Sequence, residues 1–163
     1  MRETNYLKSN EKVLRILRDV DQFTPLSNQD IMSFLDAGKL IEYDKGEEII
    51  QEGNSEFYVY FLISGGVAIE TEGENVKILR RTGELFGDMG LVKDSPQPGA
   101  VKAIQKTQVL RLDSSIIGKN PEAKELALGY TIYRLFCEVL AERLRITSEE
   151  NAQLKKRLKQ KSA

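Results

Sequence analysis

The sequence predicts a mainly β fold with flanking helices: an antiparallel double-sheet jelly-roll barrel, preceded by small N-terminal helices and followed by a long C-terminal dimerisation helix. Three observations carry this. Residues 39–115 break into short runs of β-branched and aromatic residues punctuated by glycine. The stretches on either side follow a helical period instead. Beyond Pro121 there is no further proline and a single glycine, Gly129, so little interrupts that last helix. The expected units are a helical segment at 1–38, the β unit at 39–118 and the long helix at 119–163, with its coiled-coil part at about 126–158.

Each element has a local cause. Ser9 can cap a first helix whose apolar residues Val13, Leu14, Leu17 and Val20 keep helical spacing. A turn at Phe23, Thr24, Pro25 and Leu26 follows. Ser27 with Asp30 three residues on resembles a capping box for a second helix, striped by Ile31, Phe34 and Leu35. Gly38 is expected to end that helix in the left-handed conformation. Strands are read at 40–43, 48–51, 57–63, 66–71, 76–80, 100–104 and 109–112, separated by turn residues such as Lys45-Gly46, Gly53-Asn54-Ser55 and Gly65-Gly66. Many short strands at close spacing imply a closed sheet or a double-sheet jelly roll, and closure would remove exposed edges.

The last helix, read from 122 to about 160, carries a heptad register. Tyr130, Cys137, Leu144, Asn151 and Leu158 fall seven apart, and so do Leu126, Tyr133, Leu140, Thr147 and Leu154. The two series interleave at spacings of three and four, which is the seam of a left-handed coiled coil with the first series at a and the second at d. Asn151 at an a position favours a parallel, in-register pair. The expected interface is therefore Tyr130, Tyr133, Cys137, Leu140, Leu144, Thr147, Asn151, Leu154 and Leu158 of a homodimer. A second stripe, Leu128, Ile132, Leu135, Phe136 and Val139, supplies a face to pack on the β unit.

Composition excludes several functions. With 40% hydrophobic residues among 163 there is material for a core. A net charge of -1, from 24 Lys+Arg against 25 Asp+Glu, argues against a wholly nucleic-acid-binding surface. Histidine is absent, which removes the commonest general base and metal ligand, and the single cysteine excludes an internal disulfide framework. The carboxylate pairs Glu47-Glu48 and Glu149-Glu150 stand on a turn and a helix face, not around a cleft. The expectation is no enzyme, no metal and no cofactor. Segment 1–10 is polar and no apolar run is long enough to span a bilayer, so a cytoplasmic protein without a membrane span is expected. The basic tail Lys155, Lys156, Arg157, Lys159 and Lys161 reads as a solvated helix end, favoured by the helix dipole, with a contact to an anionic partner as the alternative.

Two segments go further. One is Gly46-Glu-Glu-Ile-Ile-Gln-Glu-Gly53 followed by Tyr60-Phe-Leu-Ile-Ser-Gly65-Gly-Val67. The other is Phe86-Gly87-Asp88-Met89-Gly90-Leu91 followed by Pro96-Gln97-Pro98-Gly99-Ala100-Val101. Together these resemble the cyclic-nucleotide-binding domain family, the module of catabolite-activator-type regulators and of the regulatory subunit of cAMP-dependent protein kinase. The likeness covers roughly residues 17–144. It implies a nucleotide site at Phe86, Gly87, Asp88, Met89, Gly90, Gln97, Pro98, Gly99 and Ala100, with Tyr130, Tyr133 and Arg134 of the long helix touching the base. In the family an acid after the glycine accepts the ribose 2′-hydroxyl and an arginine of the loop meets the cyclic phosphate.

This chain departs from that pattern. The acid is Asp88 where the family has glutamate, the arginine position is Gln97, Pro98 has no N–H, and Ala100 lacks the hydroxyl of the family's Thr or Ser. Losing the partner of a buried charge costs about 3–5 kcal/mol, whereas a neutral amide returns about 0.5–1.5 kcal/mol. Binding of cAMP or cGMP is expected to be impaired. Lys93 and Lys102 are the loop cations available to stand in, and strand alternation turns Lys102 away from the side Val101 takes.

The function expected is a non-enzymatic regulatory module that senses a nucleotide-like ligand and signals in trans, through its homodimeric helix, to a downstream protein. The alternative is a degenerate barrel that binds no cyclic nucleotide and serves as a protein-interaction scaffold. No helix-turn-helix is expected, because the long helix runs almost to residue 163.

Overall fold

The computed structural model describes residues 2–4, 11–20, 23–24, 26–91, 95–114 and 123–161. Its strands form two antiparallel sheets. One has the order β1 (Arg2–Thr4), β2 (Gly38–Tyr43), β9 (Thr107–Asp113), β4 (Tyr58–Ser64), β7 (Leu85–Phe86). The other has the order β3 (Glu48–Ile50), β8 (Ala100–Ala103), β5 (Val67–Thr71), β6 (Glu74–Leu79). Helices α1 (Glu11–Arg18), α2 (Asn28–Ala37) and α3 (Ala123–Lys161) complete the chain.

Of the two expected arrangements, the double-sheet jelly roll forms and the closed barrel does not. Among the described residues the two sheets stay separate, each with two edges. Three of the four edges are short: β1, β3 and β7 are only 3, 3 and 2 residues long and present little unpaired backbone, while the fourth, β6, has 6 residues. The double-sheet jelly roll itself stands. The strands read from sequence all recur, with β1 and β7 in addition.

Alternation along β4 explains the layering. Val59, Phe61 and Ile63 face the helices, while Tyr60 and Leu62 face the second sheet. β4 is therefore apolar on both faces, as expected of a strand buried on both sides. The first core holds Val13, Leu17 and Val20 from the α1 region, Ile31, Phe34 and Leu35 of α2, and Leu135, Phe136 and Val139 of α3. The second core fills the space between the sheets with Ile41, Tyr43, Ile50, Tyr60, Phe86 and Val101 among others.

The capping box forms as read: Asp30 N–H donates to Ser27 Oγ at 3.2 Å and Ser27 N–H donates to Asp30 Oδ2 at 3.0 Å. Gly38 is a correction. Its φ is -99°, extended and not left-handed. Glycine is needed there for space, because a Cβ would stand 2.6 Å from Leu110 Cδ1. Ser9, Pro25, Lys93 and Pro121 lie outside the described residues.

Candidate functional site

β7 ends at Phe86, which stacks on Tyr60 of β4 with ring centroids 5.2 Å apart and planes 7° apart. This fixes where the next residue starts. Gly87 follows with φ +71°, and a Cβ there would lie 2.9 Å from Ile50 Cδ1 and 3.0 Å from Tyr60 Cδ2. Only glycine combines that left-handed turn with so close a passage. The chain then enters a single 3-10 turn, Asp88–Leu91, headed by the acid. A carboxylate is favourable at such a start, where backbone N–H groups lack partners.

The facing loop is tied to the first motif through its backbone. Gly53 N–H donates to Gln97 O and Gln97 N–H donates to Asn54 O, both at 2.9 Å. The two sequence motifs thus meet in space. Gly99 runs so close to β5 that a Cβ would strike the Glu70 carbonyl, with Thr71 Oγ1 at 2.7 Å. Ala100 is buried, while Pro98 is exposed.

Gln97 is 6% exposed, and it and Thr107 are the polar side chains in the buried set. Its amide Nε2 donates to Gly87 O at 3.5 Å, a long contact that spans from loop to turn. The position that the family fills with a guanidinium is therefore held by a buried neutral amide that bonds the protein's own backbone. Lys102 does not compensate. Its Nζ pairs with Glu70 Oε2 at 2.6 Å, which raises its pKa, and Val101 beside it is buried. Alternation had placed it on that outer side.

Two other cations come near. Arg111 lies over the Tyr58 ring, 4.3 Å from its centroid, in the register row Arg111, Tyr60, Phe86. Arg143 of α3 places Nη1 at 3.2 Å from Asp88 Oδ2, and its Nη2 donates to the Leu85 carbonyl. The sequence reading missed Arg143. The signal was available: it stands four residues after Val139, on the stripe that docks α3.

The helix residues expected to touch a base are turned to the surface. Tyr130 and Tyr133 are 69% and 57% exposed, and Arg134 pairs along the helix with Glu138 at 3.0 Å. The heptad positions Cys137, Leu140, Leu144, Thr147, Asn151, Leu154 and Leu158 are exposed as well. Among the described residues no cluster of metal-ligating side chains occurs, and no helix is long and apolar enough to cross a membrane.

Fold and site together define a double-sheet jelly roll that carries a glycine–acid turn opposite a proline-flanked loop, with a long helix laid against the turn. Residues 40–119 match the sequence model described as cyclic nucleotide-binding domain, and over this segment the chain is similar to that family. The cAMP-dependent protein kinase regulatory subunit of Debaryomyces hansenii is 31% identical over 99 residues, which is 61% of this chain and 22% of the kinase subunit. A potassium channel protein of Rhodopseudomonas palustris is 27% identical over 145 residues, 82% of this chain and 35% of the channel. The chain thus spans a fifth to a third of the length of these two relatives. Among solved structures, the Thermus thermophilus catabolite activator protein aligns with a TM-score of 0.64 at 25% identity, covering 82% of this chain and 62% of that one. A cyclic nucleotide-binding domain from Methylobacillus flagellatus aligns with a TM-score of 0.73, covering 89% and 83%; at 17% identity that likeness is one of fold.

Proposed function

We propose that the chain is a non-enzymatic regulatory module that senses a nucleotide-like ligand at the Gly87–Asp88 turn and transmits occupancy through a parallel homodimer of α3. One observation carries the reading: α3 has two faces. Leu135, Phe136, Val139 and Arg143 lie on the jelly roll, with Arg143 on the acid of the turn. The other face leaves Leu144, Leu154 and Leu158 at 69%, 54% and 65% exposed, at heptad spacing.

A second copy fits that seam. In a parallel, in-register pair Asn151 meets Asn151, and Glu150 at g lies opposite Lys155 at e of the partner helix. Arg145 is already engaged on the outer face, with Glu142 at 2.6 Å and Glu149 at 2.7 Å. The downstream protein is then bound in trans, in the cytoplasm, and the basic tail is solvated or meets an anionic surface.

The name of the kinase-subunit relative supports cAMP as the ligand, and cGMP shares its cyclic phosphate and ribose. The buried Gln97 favours the second reading, in which the jelly roll is a scaffold without small-molecule ligand. Calorimetry with cAMP, cGMP and AMP separates the two. Affinity tighter than micromolar supports sensing, and no heat with any of the three supports the scaffold.

A further inference from the structure

The docking stripe of α3 ends in a charge. Leu135, Phe136 and Val139 are buried, Arg143 is half-buried, and every residue from 144 to 160 is exposed. Arg143 is therefore the last residue of that stripe that is not exposed, and Ile146 one turn on still lines the groove beside the jelly roll. Its guanidinium grips both sides of Gly87, taking the Asp88 carboxylate at 3.2 Å and the Leu85 carbonyl. The two side chains are 30% and 32% exposed, so the pair is open to exchange. Beside it runs a groove of about 520 Å³ lined by Arg81, Thr82, Glu84, Leu85, Glu142 and Arg143 among others. That groove gives the guanidinium room to swing, while the carboxylates on its walls are already engaged, Glu84 by the Arg80 and Arg81 N–H groups and Glu142 by Arg145.

We propose that Arg143 latches α3 to the turn through the same carboxylate that a ligand hydroxyl would take, so that helix docking and ligand capture compete for Asp88. The ligand half of this rests on the sensing role proposed above. The apolar part of the stripe stays seated when the latch opens, because its contacts are independent of Asp88. The segment set free begins just past Val139, which is where the exposed seam residues Leu140 and Leu144 lie. A charge-assisted pair outweighs a single neutral hydroxyl, so the ligand opens the latch only with the help of the backbone N–H groups of the turn.

Hydrogen exchange of the full-length chain tests this without a ligand. Arg143→Met and Asp88→Asn should each raise exchange several-fold in both 85–91 and 140–146 and leave β4 and β9 unchanged. The charge swap Asp88→Arg with Arg143→Asp should restore protection, which separates a lost latch from a misfolded variant. Unchanged exchange in both single variants overturns the latch. Next, cAMP and 2′-deoxy-cAMP are added at concentrations that calorimetry shows to saturate. Only cAMP should deprotect 140–146. Binding of cAMP that leaves 140–146 protected overturns the competition. If neither nucleotide binds, the competition falls together with the sensing role, and the variants alone decide the latch.

Discussion

Phe136 of α3 lies face to face with Phe61 of β4, ring centroids 5.9 Å apart and planes inclined by 14°. Phe61 also makes T-shaped contacts with Phe23 at 5.6 Å and Phe34 at 5.3 Å. One ring of the first sheet thus seats the N-terminal helices and the long C-terminal helix together. Such ring pairs add about 0.5–1.5 kcal/mol each beyond the area they bury.

Phe136→Ala is expected to lower stability by about 3–5 kcal/mol and to undock α3, because the cavity opens where three elements meet. Leu158→Ala, on the exposed end of the same helix, should change monomer stability by less than about 0.5 kcal/mol. Urea unfolding of the two variants, at a concentration where both are monomeric, checks the contrast.

Gly87→Ala should cost more than Gly73→Ala. Both glycines have positive φ, +71° and +81°. Around Gly73 nothing lies within 4 Å, so alanine there meets only the backbone penalty of about 1–2 kcal/mol. At Gly87 the added methyl also presses on Ile50 and Tyr60. Thermal unfolding should show the larger fall for Gly87→Ala, and equal falls would mean that the turn relaxes freely.

Gln97→Arg introduces a charge where the side chain is 6% exposed. Without ligand the variant should be less stable than the parent, since a buried charge needs a partner. With cAMP present it should regain stability and bind at least about a hundred-fold more tightly than the parent, as expected for restoring one member of a buried charge pair. Calorimetry and thermal shift with cAMP measure both, and an affinity equal to the parent's would place the phosphate elsewhere.

Leu144→Asp should convert the proposed dimer to a monomer, read by light scattering after size exclusion. The orientation can be tested on the unaltered chain. In a parallel, in-register pair the two Cys137 side chains meet at an a position, with Cα atoms within disulfide range of about 4.4–6.8 Å. Mild oxidation should then give a covalent dimer on a non-reducing gel. An antiparallel pair would stay uncrosslinked.

Alkaline pH should destabilise the fold. Burial between the sheets pushes the Tyr60 and Tyr43 hydroxyls above the ordinary tyrosine value, with Arg111 opposing weakly. Unfolded tyrosine loses its proton near pH 10. Above that pH the unfolded chain holds fewer protons than the folded one, so stability is full below about pH 10 and falls as pH rises beyond it. The slope approaches about 1.4 kcal/mol per pH unit for each such tyrosine. Tyr60→Phe should flatten that decline in denaturant titrations between about pH 9 and pH 11.

Much of the fold was legible from local patterns. The capping box at Ser27 and Asp30, the strands and the extent of α3 follow from residue type at fixed spacing, because each is stabilised by contacts within a few residues. The motif Phe86-Gly87-Asp88 and the outward turn of Lys102 were legible for the same reason. Sheet closure was not, since it depends on where edge strands as short as β7 end up. Nor was the role of Gly38, whose need for glycine comes from Leu110, 72 positions away in sequence.

By itself, the sequence determined the jelly-roll class, the heptad spacing of α3 and the absence of an arginine at Gln97, since all three are properties of residue order alone. Only the tertiary structure decided that this amide is buried against Gly87 and that the cation beside Asp88 comes from α3. Arg143 reaches that acid from 55 positions away in sequence, through a helix whose position is set by Phe61 and Phe136. Such a pairing has no local signature, because long-range packing places its two halves side by side.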